Sequence, residues 1–399
     1  MRIATSTFHE RALAALMARQ DELSRTQNQL ATGQRVQRPA DDPGAAVHIQ
    51  ELERALSESG QYARNATAAK SRLSLEEQAL SDADTLLQRV RELAVQANSD
   101  TLDAGARRVI GAELESRLAE LTDLANRRDA VGEYLFAGYS TASPPFARGA
   151  SGGVQYLGDA GVRYQQLGPT QRVADGHPGY DVFVDVAQGN GRFVTTANAA
   201  NSGTGVIDAG AVTDPGSWTA GDYTLRFTSP GSWEIVDAGA TVVASGAYTA
   251  GGAIEWPGAR VVVTGQPASG DTFSLAASRR EDLFTTIDRL IAAVRAPATT
   301  PAARAQVTNA VGVALTQLDR GSDHLHEIRA AVGARLASVD QADAARDDFE
   351  LELKSTLSDL RDLDYAGAIT RMNQQYAGLQ AAQASYSRLA QLSLFDYLR

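Results

Sequence analysis

The run 315–363, LTQLDRGSDHLHEIRAAVGARLASVDQADAARDDFELELKSTLSDLRDL, decides the fold. In it Leu318, Leu325, Val332, Val339, Leu353 and Leu360 recur every seven residues, with Leu315, Leu336 and Leu357 three positions before or four after them. Such a repeat is the seam of a helix packed lengthwise on another helix. Arg346 alone interrupts the register. Thr300-Pro301 supplies a start upstream, because proline loses nothing at the first helical position. A helix from 301 to about 363 is roughly 90 Å long at 1.5 Å per residue, too long to lie on a compact core throughout. It requires an equally extended partner, and the N-terminal third of the same chain is the nearest source.

That third reads as helix as well. Leu16, Leu23 and Leu30 are spaced by seven within a predicted helix over 8–31, closed by Thr32-Gly33, where glycine can supply a left-handed cap. Asp42-Pro43 resembles an N-cap followed by a proline start. Leu80, Ala83, Leu87, Val90, Ala94 and Ala97 then step alternately by three and four until Asn98-Ser99-Asp100, and a further helix over 104–128 carries Ile110, Leu114, Leu118, Leu121 and Ala125 on one side. Toward the C-terminus, Ser278 followed by Glu281 predicts a capping box ahead of Leu283, Ile287, Leu290 and Val294. The last stretch keeps Tyr365, Ile369, Met372, Tyr376, Leu379 and Tyr386 at helical spacing and finishes LSLFDYLR over 392–399. One solitary helix cannot hide so much apolar surface, so other chains are expected to cover it. The expected contact residues are Leu16, Leu23 and Leu30 near one end of the chain. Near the other they are Leu353, Leu357, Leu360, Ile369, Met372, Tyr376, Leu379, Tyr386, Leu394 and Phe395.

Between these ends the texture changes. Of 35 glycines, 22 lie between 152 and 270, as do all three tryptophans, Trp218, Trp233 and Trp256. Alternating segments predict strands over 180–187, 192–197, 223–228, 233–236, 241–244, 260–264 and 272–275, separated by turn signals such as Asn190-Gly191 and Asp214-Pro215-Gly216. A hairpin is expected over about 134–168, where Pro144-Pro145 opposes helix. The fold class is therefore mostly α with an inserted β domain, its terminal helices paired in a long coiled coil or helical rod.

Little in the chain points to chemistry. A formal charge of -11 over 399 residues disfavours extended contact with nucleic acid. Zero cysteines removes disulfides and thiolate chemistry. His9, His48, His177, His324 and His326 form no ligand spacing, and no phosphate-binding glycine loop is present. Paired carboxylates such as Asp41-Asp42 and Asp347-Asp348 read as caps or solvated positions. No catalytic, cofactor or metal residue is expected, and the chain is not expected to be an enzyme. No stretch reaches the ~18 apolar residues of a membrane helix, so membrane insertion is not expected. The N-terminus lacks the apolar core of a secretory signal, so any export is expected to use another route.

Both ends resemble the flagellin superfamily. The N-terminal match is Leu30-Ala31-Thr32-Gly33-Gln34-Arg35-Val36 with Pro39-Ala40-Asp41-Asp42-Pro43-Gly44, in which Gly33, Arg35, Asp41, Asp42 and Pro43 carry the signature. At the C-terminus Asp364-Tyr365-Ala366-Gly367-Ala368-Ile369, Leu379-Gln380-Ala381-Ala382 and 392–398, with Asp364, Tyr365, Phe395 and Tyr397, resemble more particularly the superfamily's hook-filament junction members. Residues 258–267 with Gly270-Asp271-Thr272-Phe273 resemble a β-hairpin of the same superfamily, and Gly221-Asp222-Tyr223 the start of a companion strand.

The resemblance implies a flagellin-like fold and a structural adaptor of the bacterial flagellum, joining hook to filament without catalysis and required for motility. The implied neighbours are the other hook-associated junction protein, flagellin and copies of the same chain in a junction layer. It also implies secretion by type III export, with a cytoplasmic chaperone on the C-terminal helix and final residence outside the cell at the hook-filament junction. The implied domains are an inner coiled-coil region of 1–38 with 355–399 that orders only on assembly, a helical rod domain of 39–172 with 279–354, and an outer β domain of 173–278. A flagellin filament subunit is the nearest alternative. A surface adhesin or glycan-binding protein using Trp218, Trp233 and Trp256 is the other.

Overall fold

The computed structural model describes residues 2–99, 102–149 and 152–391. Among the described residues six α-helices occur: α1 (Arg2–Thr32), α2 (Pro43–Ala97), α3 (Ala104–Ala125), α4 (Leu283–Arg295), α5 (Pro301–Arg361) and α6 (Tyr365–Gln391). The long repeat is one unbroken helix, since α5 runs for 61 residues from its proline start. The chain falls into two compact units, residues 1–64 with 342–399 and residues 65–341.

In the second unit, α2 and α5 run antiparallel, since partners on α5 descend as those on α2 rise: Lys70 meets Asp340 at 2.5 Å, Glu77 meets Arg329 at 2.7 Å and Arg91 meets Asp319 at 2.7 Å. Inside this frame the seam residues are buried as their spacing predicts: Leu73, Leu80, Leu87 and Val90 of α2, Leu114, Leu118 and Leu121 of α3, Leu283, Ile287 and Leu290 of α4, and Leu318, Leu325, Val332 and Val339 of α5. The cap of α4 differs from expectation. Asp282, extended at φ -78° and ψ 152°, accepts from Thr285 N–H at 2.6 Å. Ser278 instead donates its hydroxyl to Gln188 O, and Glu281 pairs with Val186 in a short ladder. Both expected cap residues are thus used by the sheet, and the acidic residue that follows them starts the helix.

The inserted segment opens with two hairpins, β1 (Phe146–Arg148) with β2 (Val154–Tyr156) and β3 (Tyr164–Gln166) with β4 (Arg172–Ala174). The expected strand over 180–187 is in fact a π-helical turn, Tyr180–Val184, followed by β5 (Val186–Ala187). Within that turn neighbouring Val182 and Phe183 are both buried, and Asp185 N–H bonds Tyr180 O at 2.9 Å, the five-residue spacing of a π turn. Phe183 packs edge-on against Phe136 at 5.2 Å and Phe146 at 5.6 Å.

Beyond β5 come β6 (Phe193–Ala197), β7 (Val206–Ile207), β8 (Ala211–Val212), β9 (Tyr223–Ser229), β10 (Ser232–Asp237) and β11 (Val242–Ala247). They are followed by β12 (Ala253–Trp256), β13 (Ala259–Thr264), β14 (Thr272–Ala277) and β15 (Arg280–Glu281). One antiparallel sheet has the order β11-β10-β9-β14-β6, and a second is built on β13 with β12, β7 and β8. Alternate residues of both sheets enter one core around Phe193, Leu225, Val261 and Phe273.

A core of this kind predicts a sharp contrast between positions on α3. Leu114→Ala, at a fully buried position, should lower unfolding free energy by about 2–5 kcal/mol, whereas Val109→Ala, at an exposed one, should change it by less than about 0.5 kcal/mol. Urea unfolding followed by far-UV circular dichroism measures both.

Candidate functional site

The signature residues described by the structure meet at one joint of the first unit. Gly33 ends α1 in the left-handed region, φ +71°, with its N–H bonded to Gln29 O at 2.8 Å. The left-handed backbone favours glycine here, and a Cβ at this position, 2.7 Å from Tyr365 Oη, would also push that exposed ring aside. From there the chain runs against the break between α5 and α6. Gln34 bridges Asp362 in antiparallel fashion, Leu363 N–H donates to Gly33 O at 2.9 Å and Arg35 N–H donates to Arg361 O at 2.7 Å.

Arg35 spans two helix ends. Its Nη2 donates to Leu360 O at 2.6 Å, satisfying a carbonyl that the end of α5 leaves open, and its Nη1 donates to Asp42 Oδ2 at 3.1 Å. Asp42 Oδ1 accepts from Ala45 N–H at 3.0 Å, which makes it the N-cap of α2 with Pro43 in first position. The Ala45 amide above all, and then the Arg35 guanidinium, hold the Asp42 carboxyl below its ordinary value. Asp41 closes the linker turn by accepting from Arg38 N–H at 2.9 Å and Gln37 N–H at 3.2 Å. Asp364 repeats the cap for α6, accepting from Gly367 N–H at 3.2 Å. Beneath these ties Val36, Ala45, Ile49 and Leu357 are buried together, with Leu360 packed against them.

From the joint, α1 and α6 run antiparallel. His9 meets Tyr386 edge-on at 6.1 Å, and Thr26 Oγ1 donates to Gln375 Oε1 at 2.8 Å. The expected contact residues divide by environment. Leu23, Leu353 and Leu357 are buried within the chain, and Leu16, Leu30, Leu360, Met372, Leu379 and Tyr386 are half-buried. Ile369 is 46% exposed and Tyr376 53% exposed, as is Tyr365 at 54%. Leu394, Phe395 and Tyr397 lie outside the described residues. On α1, Leu13 is 46% exposed and Met17 57% exposed. The seven-residue count had passed over both, because they fall outside the Leu16, Leu23, Leu30 line; an apolar residue beside that line was the available signal.

A second polar concentration lies in the other unit, around a hollow of about 580 Å³. Arg72, buried, donates to Asp129 Oδ2 at 2.7 Å and to the carbonyls of Tyr134 and Leu135 at 3.0 and 3.1 Å. Asp175 accepts from Gln165 at 3.0 Å and lies 3.4 Å from Arg163. Burial draws the Arg72 guanidinium below its usual value. These charges face one another and pin loop and hairpin to α2, which is a structural use. The tryptophans likewise serve the β core: Trp233 and Trp256 are buried, and Trp218 packs on Phe193 at 5.4 Å.

Comparison with known proteins agrees with this geometry. Residues 3–141 match the family described as the bacterial flagellin N-terminal helical region. Flagellar hook-associated protein 3 of Salmonella typhimurium is 26% identical, over 100% of both chains. The crystal structure of Xanthomonas campestris FlgL is 35% identical and superposes with a TM-score of 0.72, covering 77% of this chain and 99% of that one. The crystal structure of hook-associated protein 3 from Legionella pneumophila is 29% identical with a TM-score of 0.75, covering 78% of this chain and 98% of that one.

Two outcomes test the joint. Gly33→Ala should loosen the α1 pairing, seen as faster tryptic cleavage within α1. In a Tyr365→Phe background the loss should shrink without vanishing, because the left-handed conformation alone costs about 1–2 kcal/mol. Asp42 has a folded pKa below its unfolded one, so its stabilisation is complete above the ordinary range near ~4 and is lost as pH falls through the folded value. Amide protection at Ala45 should therefore drop in acid, and Asp42→Asn, which keeps an acceptor but does not titrate, should flatten that dependence.

Proposed function

The chain belongs to the FlgL family, the hook-associated protein 3 branch of the flagellin superfamily, and from that membership we propose that it is the structural adaptor joining the flagellar hook to the flagellin filament. It works outside the cell through interfaces between subunits, without catalysis. The observation that carries this reading is the α1–α6 pair, which is tied into the chain at one end yet leaves Leu13, Met17, Ile369 and Tyr376 exposed. Covering a Leu, Ile or Met side chain contributes about 1.5–3 kcal/mol, against ordering of about 1–2 kcal/mol per residue. Several such residues must therefore be covered together, which favours a layer of neighbours over a single contact.

In this reading the neighbours are the other hook-associated junction protein on one side and flagellin on the other, with copies of this chain filling the layer. Residues 1–38 with 355–399 form the inner coiled-coil region, whose exposed face the neighbours cover. Residues 39–172 with 279–354 form the rod, and 173–278 the outer β domain. An export chaperone would cover the apolar stripe of α6 before assembly, so that the same surface is protected first by one partner and then by others.

The test uses the full chain in cells that lack their own copy. Ile369→Asp combined with Tyr376→Asp should leave the stability within about 0.5 kcal/mol, because both positions are exposed. Filaments should nevertheless fail to attach, with flagellin shed into the medium. Normal filament attachment by that variant would refute the assignment of these residues.

A further inference from the structure

The β region keeps a core of its own. Phe193, Leu225, Phe227, Ile235, Val261 and Phe273 are buried against one another, and among the described residues no helix side chain joins that cluster. Its connection to the helices is a narrow neck, where Gln188 N–H bonds Arg279 O at 2.9 Å and β5 pairs with β15. A two-stranded neck can bend, so something else must aim the region.

That something is a row of polar side chains on α5. Gln306 Nε2 donates to Asn198 O at 2.8 Å. Asn309, buried, accepts from Ile207 N–H at 2.9 Å and donates to Gly205 O at 2.9 Å. Gln317, also buried, accepts from Gly189 N–H at 3.2 Å and donates to Ala187 O at 3.3 Å. Arg320 donates to Asn190 O at 2.7 Å. At 3.6 residues per turn these four positions fall within an arc of about 80°, and every partner is a backbone atom of the β region or its neck.

Apolar packing beside the row is thin. A cleft of about 400 Å³ is lined by Thr196, Ala310, Val313 and Ala314 among others, and a hollow of about 60 Å³ lies by Ile207 and Gly312. Close-packed contacts leave few voids larger than a water molecule. Where packing leaves these gaps, the directional hydrogen bonds of the row make the contact.

We infer that Gln306, Asn309, Gln317 and Arg320 are positioning residues that lock the β region against α5, with the neck as its hinge. Asn309 and Gln317 are the central rungs. Without them, Ile207 N–H, Gly205 O and Gly189 N–H would be buried unpaired, and they regain water by the region swinging away. This inference does not depend on the adaptor role.

The chain has no cysteine, so Gln96→Cys and Ser245→Cys give two clean spin-label sites on the full-length protein. The labelled parent should show one narrow distance distribution. Adding Asn309→Ala with Gln317→Ala should broaden it about twofold as the locked state gives way to an ensemble, while the near-UV signal of Trp233 and Trp256 persists. Asn309→Asp, which keeps the acceptor for Ile207 N–H, should fall between. An unchanged width with the near-UV signal intact, or a parent already as broad, overturns the inference. If the double variant loses its near-UV signal, Gln306→Ala with Arg320→Ala at the outer rungs decides the matter: broadening supports the lock and an unchanged width refutes it.

Discussion

Two backbone hydrogen bonds tie the beginning of this chain to its end: Arg35 N–H to Arg361 O at 2.7 Å and Leu363 N–H to Gly33 O at 2.9 Å. They join stretches more than 300 residues apart in sequence and place the break after α1 directly against the break before α6. The register of the terminal pair follows from that placement, because both helices leave the same joint in the same direction. Gly33 makes the turn sharp enough, Arg35 closes the end of α5 and reaches the cap of α2, and Asp42 and Asp364 start the next helices. Arg35, Asp42 and Asp364 thus each satisfy a backbone group that a helix end would otherwise leave open.

The long helices obey a similar economy at the one place where their pattern fails. Arg346 occupies a seam position, where its side chain is 14% exposed, and it pairs with Asp343 and Asp347 of its own helix. A half-buried cation is tolerated there because its counter-charges lie one turn away or adjacent, while Glu350 also accepts from Ser59 of α2 at 2.7 Å. The helix runs on unbroken through that position without a leucine there.

The helical part of the fold was legible in the sequence because a long seam repeats its signal many times, and Leu318 to Val339 are buried in the order their spacing implies. The joint was legible as a set of residue types, glycine at a left-handed end and aspartates before helices, though not as a contact between 33–42 and 360–365. That contact is set by backbone pairing across the chain, to which periodicity is blind. Short elements were harder. Val182 and Phe183 look like strand residues by composition, and only the backbone bond from Asp185 N–H to Tyr180 O reveals the π-helical turn. Asn309 and Gln317 left one faint trace, a row of polar side chains with Gln306 and Arg320 along one face of a long helix. The exposed residues of α1 and α6 are a different case: spacing identifies an apolar stripe, but which member faces its own chain and which faces outward depends on the angle at which the two helices pack.

The central claim is that this joint fixes one antiparallel register between α1 and α6 within a single chain. The most direct measurement is the yield of a short thiol-specific crosslinker in full-length protein carrying Thr26→Cys with Gln375→Cys, compared with Thr26→Cys with Ala382→Cys, two turns away. The account predicts an efficient link within one chain for the first pair, whose native side chains are 2.8 Å apart, and little for the second. Equal yields for both pairs, or links formed only between chains, would contradict it.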